Sequence, residues 1–300
     1  AQAYPSRPIK FLVPFSPGSG TDIIARTVGE AMSKNIGQPV IVENKPGAGG
    51  TIAAAQVARG EADGYTVLIH SSGHALNPAI YPNLPYDTLR DLTGITPLAS
   101  MPNVLVVSPA RGWKTVADLV AAAKAKPGQF NYASAGIGSA THMNAEKFRL
   151  QAGIEAQHVP FKGTPEALSD VIGGRNDWFF APLSAALPLV REGKLQALAV
   201  STPSRAAVLP AVPTSVEAGV PGSDYIFWVA MIVSSATPPA VMQRLHDEAL
   251  KVLADRDIKD RLANLGAEPF PLAQDAFNAF IRTEVDAAAR IAKAANLKGP

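Results

Sequence analysis

The residues best placed to do chemistry lie in two short stretches of matching make-up. Ser16-Pro17-Gly18-Ser19-Gly20-Thr21 and Ser134-Ala135-Gly136-Ile137-Gly138-Ser139-Ala140-Thr141 each combine a Gly-x-Gly with hydroxyl side chains. The chemistry this suggests is anion capture. Gly18, Gly20, Gly136 and Gly138 let backbone approach a ligand closely, and Ser16, Ser19, Thr21, Ser134, Ser139 and Thr141 add donors. If a helix begins at each stretch, its first N–H groups lack intrahelical partners and its dipole favours negative charge. The plain alternative for either stretch alone is a tight turn followed by an N-cap. The recurrence of the design speaks for a ligand.

Other chemistries fit less well. Both stretches lack the third glycine of G-x-G-x-x-G, and no G-x-x-x-x-G-K-[ST] or G-x-S-x-G occurs. A dispersed Ser/His/Asp enzyme acting on a carboxylated substrate stays open as the alternative. His70 and His74 have a spacing that suits a metal on a helix. Here the segment ends a strand and runs into Gly73, so structural or ligand-contacting roles are expected for Ser71, Ser72 and His74. Lys162 could bring positive charge to a carboxylate, or be a solvated loop lysine. Phe180-Ala181-Pro182 closes a strand and offers an apolar wall. Phe227 and Trp228 read as core packing. No catalytic residue, metal or cofactor is expected.

These residues need strands and helices to hold them, and the two alternate along most of the chain, which predicts α/β architecture with largely parallel sheets. Strands are expected at Ile9–Phe15, Pro39–Glu43, Tyr65–His70, Val104–Ser108, Gln129–Ala133, Ala156–Phe161, Asp177–Phe180 and Leu195–Ser201. Helices are expected at Thr21–Asn35, Thr115–Ala125, Thr141–Ala152 and Pro165–Gly173. Thr164 reads as a hydroxyl cap ahead of Pro165, and Thr115 with Asp118 has capping-box spacing. After a strand at Tyr225–Ser234, two long helices are expected, Pro239–Leu265 and Gln274–Asn296. This ending implies a chain that leaves one domain, builds a second and returns. One domain would be residues 1–102 plus 226–300, the other 103–225, with a hinge at the crossings and the ligand cleft between them. In open α/β sheets ligands bind beyond the carboxyl ends of strands, where both Gly-rich stretches fall.

Composition sets outer bounds. Three hundred residues, 47% hydrophobic and 17% charged, are enough for two domains. A formal charge of +2 gives no nucleic-acid footprint. No run of 18 apolar residues could cross a bilayer, so the chain is not expected to insert in a membrane. The absence of cysteine excludes thiolate metal sites, a cysteine nucleophile, disulfides and an acylated N-terminal cysteine, and fits an oxidising compartment. Ala1-Gln2-Ala3 has the form of a signal-peptidase site, which predicts an exported, periplasmic mature chain.

Further motifs occur in order along the sequence. They are Pro14-Phe15…Gly18…Thr21-Asp22…Ala25-Arg26, Val42-Glu-Asn-Lys-Pro-Gly-Ala-Gly-Gly50, Asp63-Gly-Tyr-Thr66 and Leu84-Pro-Tyr-Asp87. Asn131-Tyr-Ala-Ser-Ala-Gly136…Gly138-Ser139…His142, Val159-Pro-Phe-Lys-Gly163 and Val212-Pro-Thr…Glu217-Ala-Gly follow. The chain resembles the Bug-type solute receptors of tripartite tricarboxylate transporters. That resemblance implies a periplasmic-binding-protein-like (Venus flytrap) fold of two α/β domains closing on a carboxylate, which is handed to membrane permease subunits. It implies a monomer without cofactor; a co-receptor presenting its ligand to a sensor kinase would use the same site. It maps the carboxylate grip onto Phe15–Asp22 and Ser134–Thr141, adding Phe15, Asp22 and Ala135 to the candidates. Many relatives have an aspartate where Ala181 stands, so a plain dicarboxylate is expected over an amino acid, an aromatic body as in a phthalate-type acid being one form of it.

Overall fold

The computed structural model describes residues 3–300, so the Ala1-Gln2-Ala3 reading lies mostly outside the described residues. The chain opens with β1 (Ile9–Val13), α1 (Gly20–Ile36), β2 (Val40–Asn44), α2 (Thr51–Arg59), β3 (Thr66–Ser71), α3 (Gly73–Ile80) and β4 (Leu92–Met101). It then builds β5 (Asn103–Val107), α4 (Val116–Ala125), β6 (Asn131–Ser134), α5 (Ala140–Ala152) and β7 (Gln157–Pro160). After these come α6 (Thr164–Ile172), β8 (Trp178–Pro182), α7 (Leu183–Arg191) and β9 (Gln196–Val200). It ends with β10 (Phe227–Ser234), α8 (Pro239–Ala254), α9 (Arg256–Asn264), β11 (Glu268–Pro269) and α10 (Gln274–Ala294).

Two sheets result, β11-β4-β10-β3-β1-β2 and β7-β6-β8-β5-β9. Each carries helices on both faces, and each sheet with its helices forms a lobe. β1, β3 and β10 are largely apolar because both faces are covered: Phe11, Val67, Ile69 and Met231 pack on one side, Leu12, Leu68 and Ile232 on the other. In the second lobe, Val104, Val106, Phe179 and Ala181 face one helical layer, and Leu105, Trp178 and Phe180 the other.

The α/β class holds, but the sheets are mixed. Beside the parallel pairs β1–β2, β1–β3, β6–β7 and β6–β8, the returning β10 runs antiparallel to β3 and β4, and β5 runs antiparallel to β8 and β9. The edge strand β11 is likewise antiparallel to β4. β5 and β10 each enter a lobe from the other one and so approach from the opposite end, which makes their pairings antiparallel. β4 was unforeseen because Gly94 and Pro97 interrupt its pattern; Pro97 sits where the register with β10 shifts. The helix expected over Pro239–Leu265 is two helices, broken at Asp255, whose carboxylate accepts the N–H groups of Asp257 and Ile258. The Thr115–Asp118 capping box is formed as expected.

The crossings between lobes are narrow and stitched through one residue. Asn103 N–H donates to Ser201 Oγ (2.9 Å), and Ser201 N–H to the Asn103 carbonyl (2.9 Å). Tyr225 N–H donates to the Ser201 carbonyl (2.8 Å), while Ser201 Oγ donates to that of Tyr225 (2.7 Å). Both strands of chain that link the lobes are thereby tied side by side at the base of the cleft.

Candidate functional site

β1 and β6 each end in a Gly-rich loop that starts a helix, and the two loops face one another. Ser19 is the N-cap residue of α1 and Ser139 that of α5, both with extended backbone. Gly18 and Gly138 precede them at φ of 86° and 77°, a left-handed conformation that glycine adopts without steric cost. The N–H groups of Gly20 and Thr21 in α1, and of Ala140 and Thr141 in α5, have no acceptor among the described residues. All four belong to the first helical turn, where such donors are left over.

These donors border a cavity of about 10 Å³, enough for roughly one water. Of the sequence-expected residues, Phe15, Ser19, Gly20, Thr21, Ser71, Ala135, Ser139 and Thr141 line it. Ala140, Thr164, Pro182 and Phe227 complete the wall. No lysine, arginine or acid is among them. Positive potential here comes from helix starts and hydroxyls. Ser71 Oγ is fully buried without a partner, a polar atom awaiting one.

The lobes touch around this cavity. Thr164 N–H, at the start of α6, donates to Ser19 Oγ across the cleft (3.1 Å), and Ser16 N–H donates to the Lys162 carbonyl (3.3 Å). From α3, Asn77 Nδ2 donates to the carbonyls of Gly49 and Gly138, and the Tyr81 hydroxyl to that of Ile137 (2.7 Å). Closure needs a missing side chain: a Cβ on Gly20 would lie 2.5 Å from Pro182 Cβ.

Several expected residues do other work. Asp22 does not face the cavity. Its carboxylate accepts Gly18 N–H (2.8 Å), Arg26 Nε (3.0 Å) and Asn44 Nδ2 (2.8 Å), so it fixes the loop from behind. In the second loop, Ser134 Oγ accepts Gly136 N–H (3.0 Å), and Gly138 N–H is held by His142. Ser16, Gly18, Ser134, Gly136 and Gly138 are therefore loop-shaping residues that do not line the cavity. Ser72 Oγ pairs with the Tyr225 hydroxyl (2.6 Å) beside the crossing. His74 lies in the first turn of α3, a helix not anticipated after the glycine; burial pushes its imidazole down to about 4. Lys162 is exposed and turns only its carbonyl inward. Phe180 packs between Phe148 and Trp178, and Ala181 lies on the opposite face in the second lobe's core. Neither reaches the cavity; its apolar wall is Phe15, Phe227 and Pro182. Thr164 is the first residue of α6 and not its cap, since Gly163 holds that place and the Thr164 N–H serves Ser19 instead.

Sequence reasoning assigned Phe227 to the core and gave no role to Asn77 or His142, while of the expected Phe180-Ala181-Pro182 wall only Pro182 reaches the cavity. A signal for His142 existed: Gly18-Ser-Gly-Thr-Asp22 and Gly138-Ser-Ala-Thr-His142 share one frame, with an acceptor at the fifth position.

Two lobes on a narrow double crossing, with unpaired helix starts facing across a polar cavity, define a two-lobed solute-binding protein. The model of the tripartite tricarboxylate transporter family receptors matches residues 24–297, and the chain belongs to that family of solute-binding receptors. Among solved structures, a Rhodopseudomonas palustris protein with adipate is 32% identical, with a TM-score of 0.95 over 99% of this chain and 100% of that one. The periplasmic binding protein BugD is 31% identical, TM-score 0.94, over 99% and 100%. MatC from Rhodopseudomonas palustris with bound malate is 30% identical, TM-score 0.91, over 96% and 99%.

Proposed function

We propose that the protein is a periplasmic receptor that closes on a small aliphatic dicarboxylate and delivers it to the permease of a tripartite tricarboxylate transporter. The observation carrying this reading is the pair of helix starts, α1 and α5, whose four unpaired N–H groups converge on one cavity without any cationic side chain. One carboxylate occupies that point, receiving charge-assisted hydrogen bonds of roughly 1.5–3 kcal/mol each. Domain closure around it removes competing water, and each lobe supplies half the donors. Binding thus requires both lobes.

The cavity, with room for about one water, must widen to admit the acid, and the ligand's body then lies against Phe15, Phe227 and Pro182. Phe180 is sealed in the core and takes no part in that wall. Adipate and malate, bound by the two Rhodopseudomonas relatives, define the class. The Ser/His/Asp alternative has little footing: the Ser134 Oγ–His158 Nε2 pair lies behind the loop and outside the cavity.

The test is a thermal-shift and calorimetric screen of adipate, malate, phthalate, tricarballylate, acetate and glutamate. Selective binding raises the melting temperature by mass action. A shift for adipate or malate that exceeds those for phthalate and glutamate supports the reading. A response to phthalate or glutamate alone overturns it. Recovery of the acid chemically unchanged after long incubation separates a receptor from an enzyme.

A further inference from the structure

We propose that His142 is the positioning residue of the second anion loop, the counterpart of Asp22 in the first, and that it makes the second lobe's grip on the ligand responsive to protonation. The proposal rests on the dicarboxylate-receptor reading for its binding readout, but not for its structural one.

The geometry begins with frame-for-frame correspondence. In the first lobe Gly18 N–H donates to Asp22 Oδ2, four residues on, at 2.8 Å. In the second, Gly138 N–H donates to His142 Nδ1, four residues on, at 3.1 Å. Both bonds hold the glycine whose left-handed backbone turns the chain into its N-cap serine. An imidazole nitrogen accepts only when it carries no proton, so this bond fixes His142 as the neutral Nε2–H tautomer. Protonation at Nδ1 replaces an acceptor with a donor pointing at Gly138 N–H. The bond is then lost and the loop released.

His142 does not stand alone. Its ring stacks on His158 at 3.9 Å between centroids and 8° between planes. His158 Nε2 bonds Ser134 Oγ, which in turn holds Gly136 N–H, so the stacked pair supports both turns of the loop. Tyr132 and Trp178 extend the stack behind His158, at 5.0 and 4.8 Å, and restrict rotation of the rings. Aligned packing of this kind fixes a ring's direction to within the few tenths of an ångström that a hydrogen-bonded site requires.

A cavity of about 610 Å³ runs behind the pair. The titratable and charged groups around the histidines are Tyr132 from β6, Glu146 and Arg149 from α5, Glu155 ahead of β7, and Lys298 from the C-terminal segment. Glu146 and Arg149 are paired with each other at 2.7 Å. Burial, then the Arg149 charge, pushes His142 down to about 4; burial, then His142, pushes His158 down to about 3. The neutral form that the geometry needs is also the form this setting favours.

His142→Asn and His142→Leu test this in the full chain. The two side chains are close to isosteric, and only asparagine can place an oxygen where Nδ1 was. Amide hydrogen exchange without ligand reads the lock directly, with Gly18 as the internal reference. His142→Asn keeps Gly138 protected and binds adipate within about threefold of the wild type. His142→Leu loses protection at Gly138 by tenfold or more while Gly18 is unchanged, and binds adipate about tenfold more weakly, the worth of one oriented donor. Equal behaviour of the two variants overturns the proposal. Should His142→Leu fail to fold, the wild type against His142→Asn decides. From pH 7.5 to 3.5, Gly138 protection relative to Gly18, and adipate affinity, fall more steeply in the wild type; parallel curves overturn it. The His142→Asn reference cancels protonation of adipate itself. If adipate does not bind the wild type, the ligand reading fails, and exchange at Gly138 still decides the role of His142.

Discussion

The loops Gly18–Asp22 and Gly138–His142 fold alike and are held differently. Each presents a serine cap, two unpaired N–H groups and a threonine to the same cavity, and each glycine is tied to the fifth residue of the frame. In the first lobe the tie is a carboxylate, steadied by Arg26 and Asn44. In the second it is a neutral imidazole, steadied by ring stacking. On the proposed function, a carboxylate behind the loop would repel the ligand unless a cation accompanied it, and Arg26 does so. The second lobe reaches the same geometry without adding a charge. Loops of this design can therefore be anchored by compensated charge or by a neutral acceptor.

Acidification is the severest challenge to that difference. His74 and His142 are buried and held at about 4, against an ordinary value of 6.5. The unfolded chain then binds more protons than the native one between about pH 6.5 and 4. The stability these two groups contribute is full above that window and falls as pH drops through it. The size is roughly 3 kcal/mol per histidine. Urea titrations at pH 7, 6, 5 and 4 follow this loss, and His142→Asn removes its share of the slope. A flat profile across the window would show that the histidines are not buried neutral.

Steric substitution sharpens the comparison next. Gly20 and Ala140 occupy the same place in the two frames, and Gly20 abuts Pro182 of the opposite lobe. Gly20→Ala places a methyl group against Pro182 in the closed form and leaves the helix itself improved. Overpacking of about 1–3 kcal/mol then falls on closure, and affinity drops about ten- to hundredfold while the ligand-free melting temperature holds. Ala140→Gly costs the first turn of α5 no more than ~1 kcal/mol of stability. Calorimetry and small-angle scattering with and without adipate distinguish a failure to close from a failure to fold.

The smallest contrast concerns the two serines. Ser139 Oγ accepts His142 N–H and so caps α5, whereas Ser19 makes no side-chain bond to its own helix and serves Thr164 across the cleft. Ser139→Ala is expected to lower folding stability by about 1 kcal/mol as well as affinity. Ser19→Ala lowers affinity alone. Equal stability losses in denaturant would show that both act only as caps.

Much of this was legible in the residues. The strand–loop–helix order, the two Gly-rich stretches and the return of the chain at Tyr225 follow from apolar periodicity and glycine placement. What stayed hidden was direction. Alternation shows that Phe179 and Phe180 point to opposite faces, but not which face meets the cleft, and both turn out to be covered. Asp22 and Lys162 have the right chemistry at the right place along the chain; hydrogen bonds in one case and solvent in the other claim them. β4 was obscured because Gly94 gives room to the Phe277 ring and Pro97 sits at a register shift, both demands set by partners far off in sequence.

The position of β10 has a consequence for how the molecule is made. Residues 227–234 lie between β3 and β4, in the middle of the sheet that residue 9 begins, whereas the second sheet is complete by residue 200. Emerging from its amino end, the chain finishes the later lobe first, and the earlier one waits with β3 and β4 open along facing edges. The interval between them is a long loop that must close before those edges find cover. The half of the receptor that is written first assembles last, and it is in that interval that the nascent chain is most in need of protection from its neighbours.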